Sequence, residues 1–65
     1  MTVEILKDCK RTGVRKGQIY EAIPYWLDPN YKVSLLRRLT KKDRKPIGKE
    51  PNCNEYLHNM KVLKK

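Results

Sequence analysis

Apolar and polar residues alternate in short bursts, and each burst reads as a strand. Thr2 to Asp8 is the first, with Val3 and Ile5 on one face, Glu4 and Leu6 on the other, and Lys7-Asp8 ending it. Gln18 to Ile23 is the second, with Ile19 and Ile23 on one side and Tyr20 and Ala22 on the other. Pro24 has no backbone donor and belongs at that strand's end or on an edge. Tyr31 to Leu39 is the clearest strand: Val33, Leu35 and Leu39 share a face with Arg37, opposite Lys32, Ser34, Leu36 and Arg38. The same residues also admit a helical reading, because Leu35, Leu36 and Leu39 fall at i, i+1 and i+4. The strand is preferred because Asp28-Pro29-Asn30 between two apolar runs is hairpin chemistry. Ile47-Gly48-Lys49 is a short strand interrupted by Pro51, and Met60 to Leu63 is the last, leaving Lys64-Lys65 as a frayed end. Between them Asn54 to Asn59 reads as one helical turn, capped by Asn52 or Asn54, with Tyr56, Leu57 and Met60 facing inward.

The connections carry their own signals. Gly13 and Gly17 bracket Val14-Arg15-Lys16, and both read as positive-φ turn positions in a long basic loop from Cys9 to Gly17. Val14 is the one residue of that loop expected to tuck inward. Thr40 to Lys45 is almost purely charged and closed by Pro46, which reads as a mobile solvent loop.

The prediction is a mostly β fold of five short strands with one helical turn before the last. Three features carry a resemblance to the SH3-like barrel: the long first loop, the run Gly17-Gln18-Ile19-Tyr20-Glu21-Ala22 leading into the second strand, and the turn Asn54 to Asn59. That resemblance implies a small five-stranded barrel. A winged helix, with a helix over Val33 to Lys42, is the competing architecture. In its short, basic style the chain is also similar to small proteins encoded by bacteriophages and other mobile elements.

Sixty-five residues make one domain with a small core. Sixteen Lys and Arg against seven Asp and Glu give a formal charge of +9, beyond the ~2–8 units that solubility alone favours. Such a charge fits a polyanionic partner: nucleic acid, an acidic protein surface or an anionic membrane. No apolar run approaches the ~18 residues of a membrane span, and the N-terminal stretch lacks a signal-peptide core. No membrane partner is therefore expected. The chain is expected in the cytoplasm, that of a host if a phage encodes it, with its thiols reduced.

Cys9 and Cys53 read as small buried hydrophobes, with a disulfide between them only if the protein is exported. Together with His58 they make three potential ligands, whereas a structural zinc site wants four with close paired spacing. No metal or cofactor is expected. His58 sits among Asn54, Glu55 and Asn59 as a solvent-facing turn residue, and no set of polar groups suggests catalysis.

The main functional signal is the segment holding Arg37, Arg38, Lys41, Lys42, Arg44, Lys45 and Lys49 against Asp43 alone. Such a segment neutralises phosphates and releases counterions without reading sequence. Lys10, Arg11, Arg15 and Lys16 add a second basic group in the first loop. Tyr25, Trp26 and Tyr31 around the Asp28-Pro29-Asn30 turn supply either base stacking or a protein contact. Trp26 is expected buried as the core's largest plug, with at least one of Tyr25 and Tyr31 partly exposed. The resulting expectation is a nucleic-acid-binding module for DNA or RNA, gripping phosphates through Arg11, Arg15, Lys16 and the Arg37 to Lys49 cations. The alternative is a protein-interaction module docking on an acidic partner, an inhibitor or modulator of a host nucleic-acid-processing machine. Either is expected as a monomer or weak homodimer.

Overall fold

The computed structural model describes residues 1–65 and contains a single antiparallel sheet of six strands. They are β1 (Thr2–Ile5), β2 (Ile19–Pro24), β3 (Lys32–Leu39), β4 (Pro46–Ile47), β5 (Cys53–Tyr56) and β6 (Met60–Lys64), with a 3-10 turn at Leu57–Asn59. The order across the sheet is β4-β3-β2-β1-β6. Strand β5 also pairs with β3: β4 takes Arg38 and Leu39, while β5 takes Lys32 to Leu35. The 3-10 turn then carries the chain from β5, on β3, to β6, on β1. No ladder joins β5 to β6, so the sheet is not closed by hydrogen bonds.

The mostly β expectation holds, and Tyr31 to Leu39 is a strand rather than a helix, which removes the winged-helix alternative. The strand count does not hold. Cys53–Tyr56 is a sixth strand, and the expected turn over Asn54 to Asn59 shrinks to Leu57–Asn59 with no side-chain cap. The reason is tertiary. All four residues of β5 pair with β3, the Ser34 hydroxyl donates to Asn54 Oδ1 at 2.8 Å, and Glu55 is buried with partners from the first loop. Tyr56, expected inward, is exposed; Leu57 is half-buried and Met60 is buried.

The core gathers Val3, Ile5, Val14, Tyr20, Ala22, Val33, Leu35 and Met60, flanked by Met1, Cys9, Cys53 and Leu57. Val3 and Ile5 share the inner face of β1 as the alternation requires, and Val14 reaches in from the loop. Along β3 the simple alternation fails. Ala22 pairs with Leu35 but Glu21 pairs with Arg37, so Leu36 is an extra residue with no partner of its own. Such a bulge bends the strand and inverts the alternation beyond it. Val33 and Leu35 stay with the core, whereas Leu39 and Arg37 lie on the other face, opposite Ile19 and Glu21. Ile19 and Leu39 are accordingly buried against each other's strand but stand outside the main cluster. Ile23, predicted beside Ile19, is exposed.

Candidate nucleic-acid interface

The first loop is folded back on itself rather than splayed. Cys9 and Val14 form a bridge, the Gly13 amide donates to Cys9 O at 2.8 Å, and the Gly17 amide donates to Ile5 O at 2.8 Å. Gly13 at φ +83° and Gly17 at φ +91° make these reversals, as their spacing predicts. Asp8 Oδ1 accepts the Lys16 amide at 2.7 Å, and Gln18 Oε1 accepts both the Arg15 amide at 3.0 Å and the Tyr20 hydroxyl at 2.9 Å. These bonds hold Arg15 and Lys16 at the base of the loop while its tip turns away.

That tip does a different job. Arg11 pairs with buried Glu55 at 3.3 Å and donates to Asn54 O at 3.3 Å, and the Thr12 hydroxyl donates to Glu55 Oε2 at 2.6 Å. Arg11 is thus committed to a structural carboxylate and leaves the phosphate-binding set. Arg37 is tied down as well, its Nε 3.1 Å from Glu21 Oε2 across the strands. No other Lys or Arg makes an ion pair.

The segment Thr40 to Lys45 is a tight hairpin turn joining β3 to β4. The Thr40 amide donates to Lys45 O at 2.9 Å, the Arg44 amide to Thr40 O at 3.1 Å, and Thr40 Oγ1 accepts the amides of Asp43 and Lys45. Arg44 takes a left-handed conformation at φ +56° to complete the reversal. Every residue from Lys41 to Glu50 is exposed, so Lys41, Lys42, Arg44, Lys45 and Lys49 all face water.

The hairpin and the first loop meet. A Cβ placed on Gly17 would stand 3.2 Å from Lys41 Nζ, so the Lys41 ammonium reaches across the loop's last turn. Arg15, Lys16, Arg38 and Lys41 line one open groove, floored by Ile19, Leu39 and Ile47. A second open groove lies on the other side of Leu39, lined by Arg37, Arg44, Lys64 and Lys65 with Glu21 among them. Lys64 and Lys65 were not expected there. Of the two residues read as a frayed end, Lys64 is the last residue of β6 and pairs with Thr2, while Lys65 follows the strand.

The aromatic residues lie elsewhere. Trp26, expected in the core, is 80 % exposed. It stands in the β2–β3 turn, where the Asp28 amide donates to Tyr25 O and the Lys32 amide donates to Asp28 O, reversing the chain past the ends of the two strands. The core is already filled by strand residues, and the indole packs only edge-on to half-buried Tyr25, at 6.3 Å between centroids. Tyr31 is largely exposed, as expected for one of the two tyrosines, and Leu27 beside it is exposed too. The Leu57 amide donates to Tyr31 O at 2.7 Å, which brings the 3-10 turn alongside. There His58 lies 5.3 Å from the Tyr56 ring, over which Lys32 Nζ stands at 4.8 Å. Strand β3 separates this aromatic end from the basic grooves; eight residues at ~3.3 Å each place them about 23 Å apart. The cations of the two grooves and the exposed aromatics therefore do not form one surface, and Lys32 is the cation that stands at the aromatic end.

Cys9 and Cys53 are free and half-buried, and burial followed by the Glu55 charge pushes the Cys53 thiol up. No group of three or more His, Cys, Asp or Glu side chains is placed to hold a metal. No helix is long and apolar enough to cross a membrane. Neither a family model, a curated protein nor a solved structure matches this chain.

Proposed function

We propose that this protein binds nucleic acid by its phosphates through the basic end of the sheet, largely without reading sequence. The single observation behind this is the meeting of the first loop and the β3–β4 hairpin at Gly17 and Lys41, which pools Arg15, Lys16, Arg38 and Lys41 in one groove. None of these four has a carboxylate partner, and Lys42, Lys45 and Lys49 add exposed charge beside them. Cations free of internal partners and clustered at one end gain most from displacing counterions. The fold in this proposal is a small SH3-like barrel, with the 3-10 turn bringing β5 round toward β6.

Replacing Lys41, Lys42, Arg44 and Lys45 by glutamine tests it. Each phosphate contact contributes about 0.9 to the slope of log K against log[salt] on duplex DNA. The quadruple variant is expected to flatten that slope by up to about 3–4 units and to bind far more weakly at low salt. Unchanged affinity and slope would refute the proposal.

The exposed Trp26, Leu27 and Tyr31 favour a second reading, a protein-interaction module for an acidic partner, since aromatic residues dominate such contacts. It expects a stoichiometric, nuclease-resistant complex that Trp26→Ala and Tyr31→Ala abolish; a complex surviving both substitutions would dismiss it.

A further inference from the structure

We infer that the nucleic acid is bound as a single strand, with bases stacked on the outer face of β2, β3 and β5. This rests on the phosphate binding proposed above and adds to it a second patch that meets bases.

Strand register builds that patch. Ala22, Val33 and Leu35 belong to the core, so the residues alternating with them face outward. Ile23, Ser34 and Asn54 form one outward row across the three strands. Tyr25, Lys32 and Tyr56 form the next: Lys32 is paired with Tyr56, and the Tyr25 amide donates to Lys32 O at 3.0 Å. Two tyrosines thus flank a lysine from strands about 9–10 Å apart. Lys32 Nζ stands 4.8 Å from the centre of the Tyr56 ring. No element packs over these rows, and Ile23 is 48 % and Tyr56 43 % exposed. The bulge at Leu36 extends the face. Beyond it Arg37, paired with Glu21, returns to the side of Lys32 and Ser34. One face of β3 therefore leads from rings, past a hydroxyl and an amide, to the basic end.

Each part has its match in a single strand. Sheet faces with aromatic side chains on neighbouring strands stack two or three unpaired bases, and such stacking accepts any base. The Ser34 hydroxyl donates to Asn54 Oδ1 at 2.8 Å, which leaves the Asn54 side-chain NH2 to donate to a base edge. An open hollow there is lined by Lys32, Asn52, Asn54 and Tyr56. Lys32 supplies charge for the phosphate beside a stacked base, and a flexible strand of several nucleotides spans the ~23 Å to the basic end. A duplex stacks its bases on one another and gains nothing from exposed rings. An acidic protein surface matches the charge alone, whereas rings beside an amide donor and a cation match base, base edge and phosphate together.

The test compares labelled 20-mer single-stranded DNA, single-stranded RNA and duplex DNA by fluorescence anisotropy at several salt concentrations. Tyr56→Leu and Tyr25→Leu/Tyr56→Leu accompany the parent. Tyr56 is exposed, and circular dichroism checks that both variants keep the sheet. The expected result is single strands of one or both kinds bound at least tenfold tighter than duplex by the parent. Tyr56→Leu should weaken single-strand binding about tenfold and leave duplex binding unchanged. Its salt slope should stay within about 0.5 of the parent's, since a ring displaces no counterions. Equal or tighter binding of duplex, or single strands held by Tyr56→Leu as by the parent, would overturn the stacking face while leaving phosphate binding intact. Poly-glutamate competing as well as unlabelled single strand at equal charge would point to an acidic partner and overturn it too. Absence of binding to all three probes at low salt would instead overturn phosphate binding itself, and this inference with it.

Discussion

Glu55 is the one buried charged residue, 4 % exposed, and it fastens the first loop to the sheet across more than forty positions of sequence. Thr12→Val removes the hydroxyl that donates to Glu55 Oε2 at 2.6 Å while keeping the side chain's shape. The carboxylate is then left with Arg11, 3.3 Å away on a side chain 68 % exposed. A hydrogen bond to a charged group contributes about 1.5–3 kcal/mol, and one this short to a buried acceptor belongs near the middle of that range. Arg11→Met should cost less, about 1 kcal/mol, because solvent screens its exposed end. A chain of this length holds only about 3–10 kcal/mol of total stability, so the expected ~2 kcal/mol loss in Thr12→Val is a large share of it. Urea unfolding followed by circular dichroism gives the midpoint and slope. Trp26 emission is a poor reporter here, since the indole is already in water. A double-mutant cycle between Thr12→Val and Glu55→Ala should show a coupling above about 1 kcal/mol. A Thr12→Val variant within about 0.5 kcal/mol of the parent, uncoupled to Glu55, would refute the view that this contact holds the loop.

Trp26→Ala should change stability by no more than about 0.5 kcal/mol, because an exposed side chain away from any specific contact network leaves no cavity behind; a loss above about 2 kcal/mol by the same urea assay would return the indole to the core. Burial pushes the Tyr20 hydroxyl above the ordinary tyrosine value of 10.0, with the Arg38 charge pulling in the opposite direction. The unfolded chain therefore releases this proton first, and stability should fall as pH rises from about 10 through the higher folded value. Urea midpoints between pH 9 and 11 should drop less steeply in Tyr20→Phe than in the parent, and parallel curves would dismiss the assignment.

What the sequence disclosed and what it withheld divide along a physical line. Local signals were legible: Val3 and Ile5 on one face, the paired glycines of the first loop, the inward Val14, and the turn at Asp28-Pro29-Asn30. Strand β5 was not, because Cys-Asn-Glu-Tyr is poor in residues that favour strands, and its extended form comes from pairing with β3. The bulge at Leu36 has no compositional mark, so Leu39 and Arg37 were assigned to the wrong face. Trp26 was misplaced by a preference for large apolar residues inside, which its position in a turn overrides. For the site, the exposed cations of the hairpin could be read directly. The withdrawal of Arg11 and Arg37 onto Glu55 and Glu21, and the arrival of Lys64 and Lys65, depend on strands distant in sequence.

The extra residue in β3 gives the strand one position of slack. At a regularly paired position in a strand, losing a residue moves all that follows to the opposite face. At Leu36 a deletion would leave each neighbouring pair, Ala22 with Leu35 and Glu21 with Arg37, as it stands. Changes in chain length are ordinarily confined to loops; here the sheet itself has a place to absorb one. A lineage carrying this fold therefore has a route to shorten or restore its longest strand without re-sorting which cations face which groove.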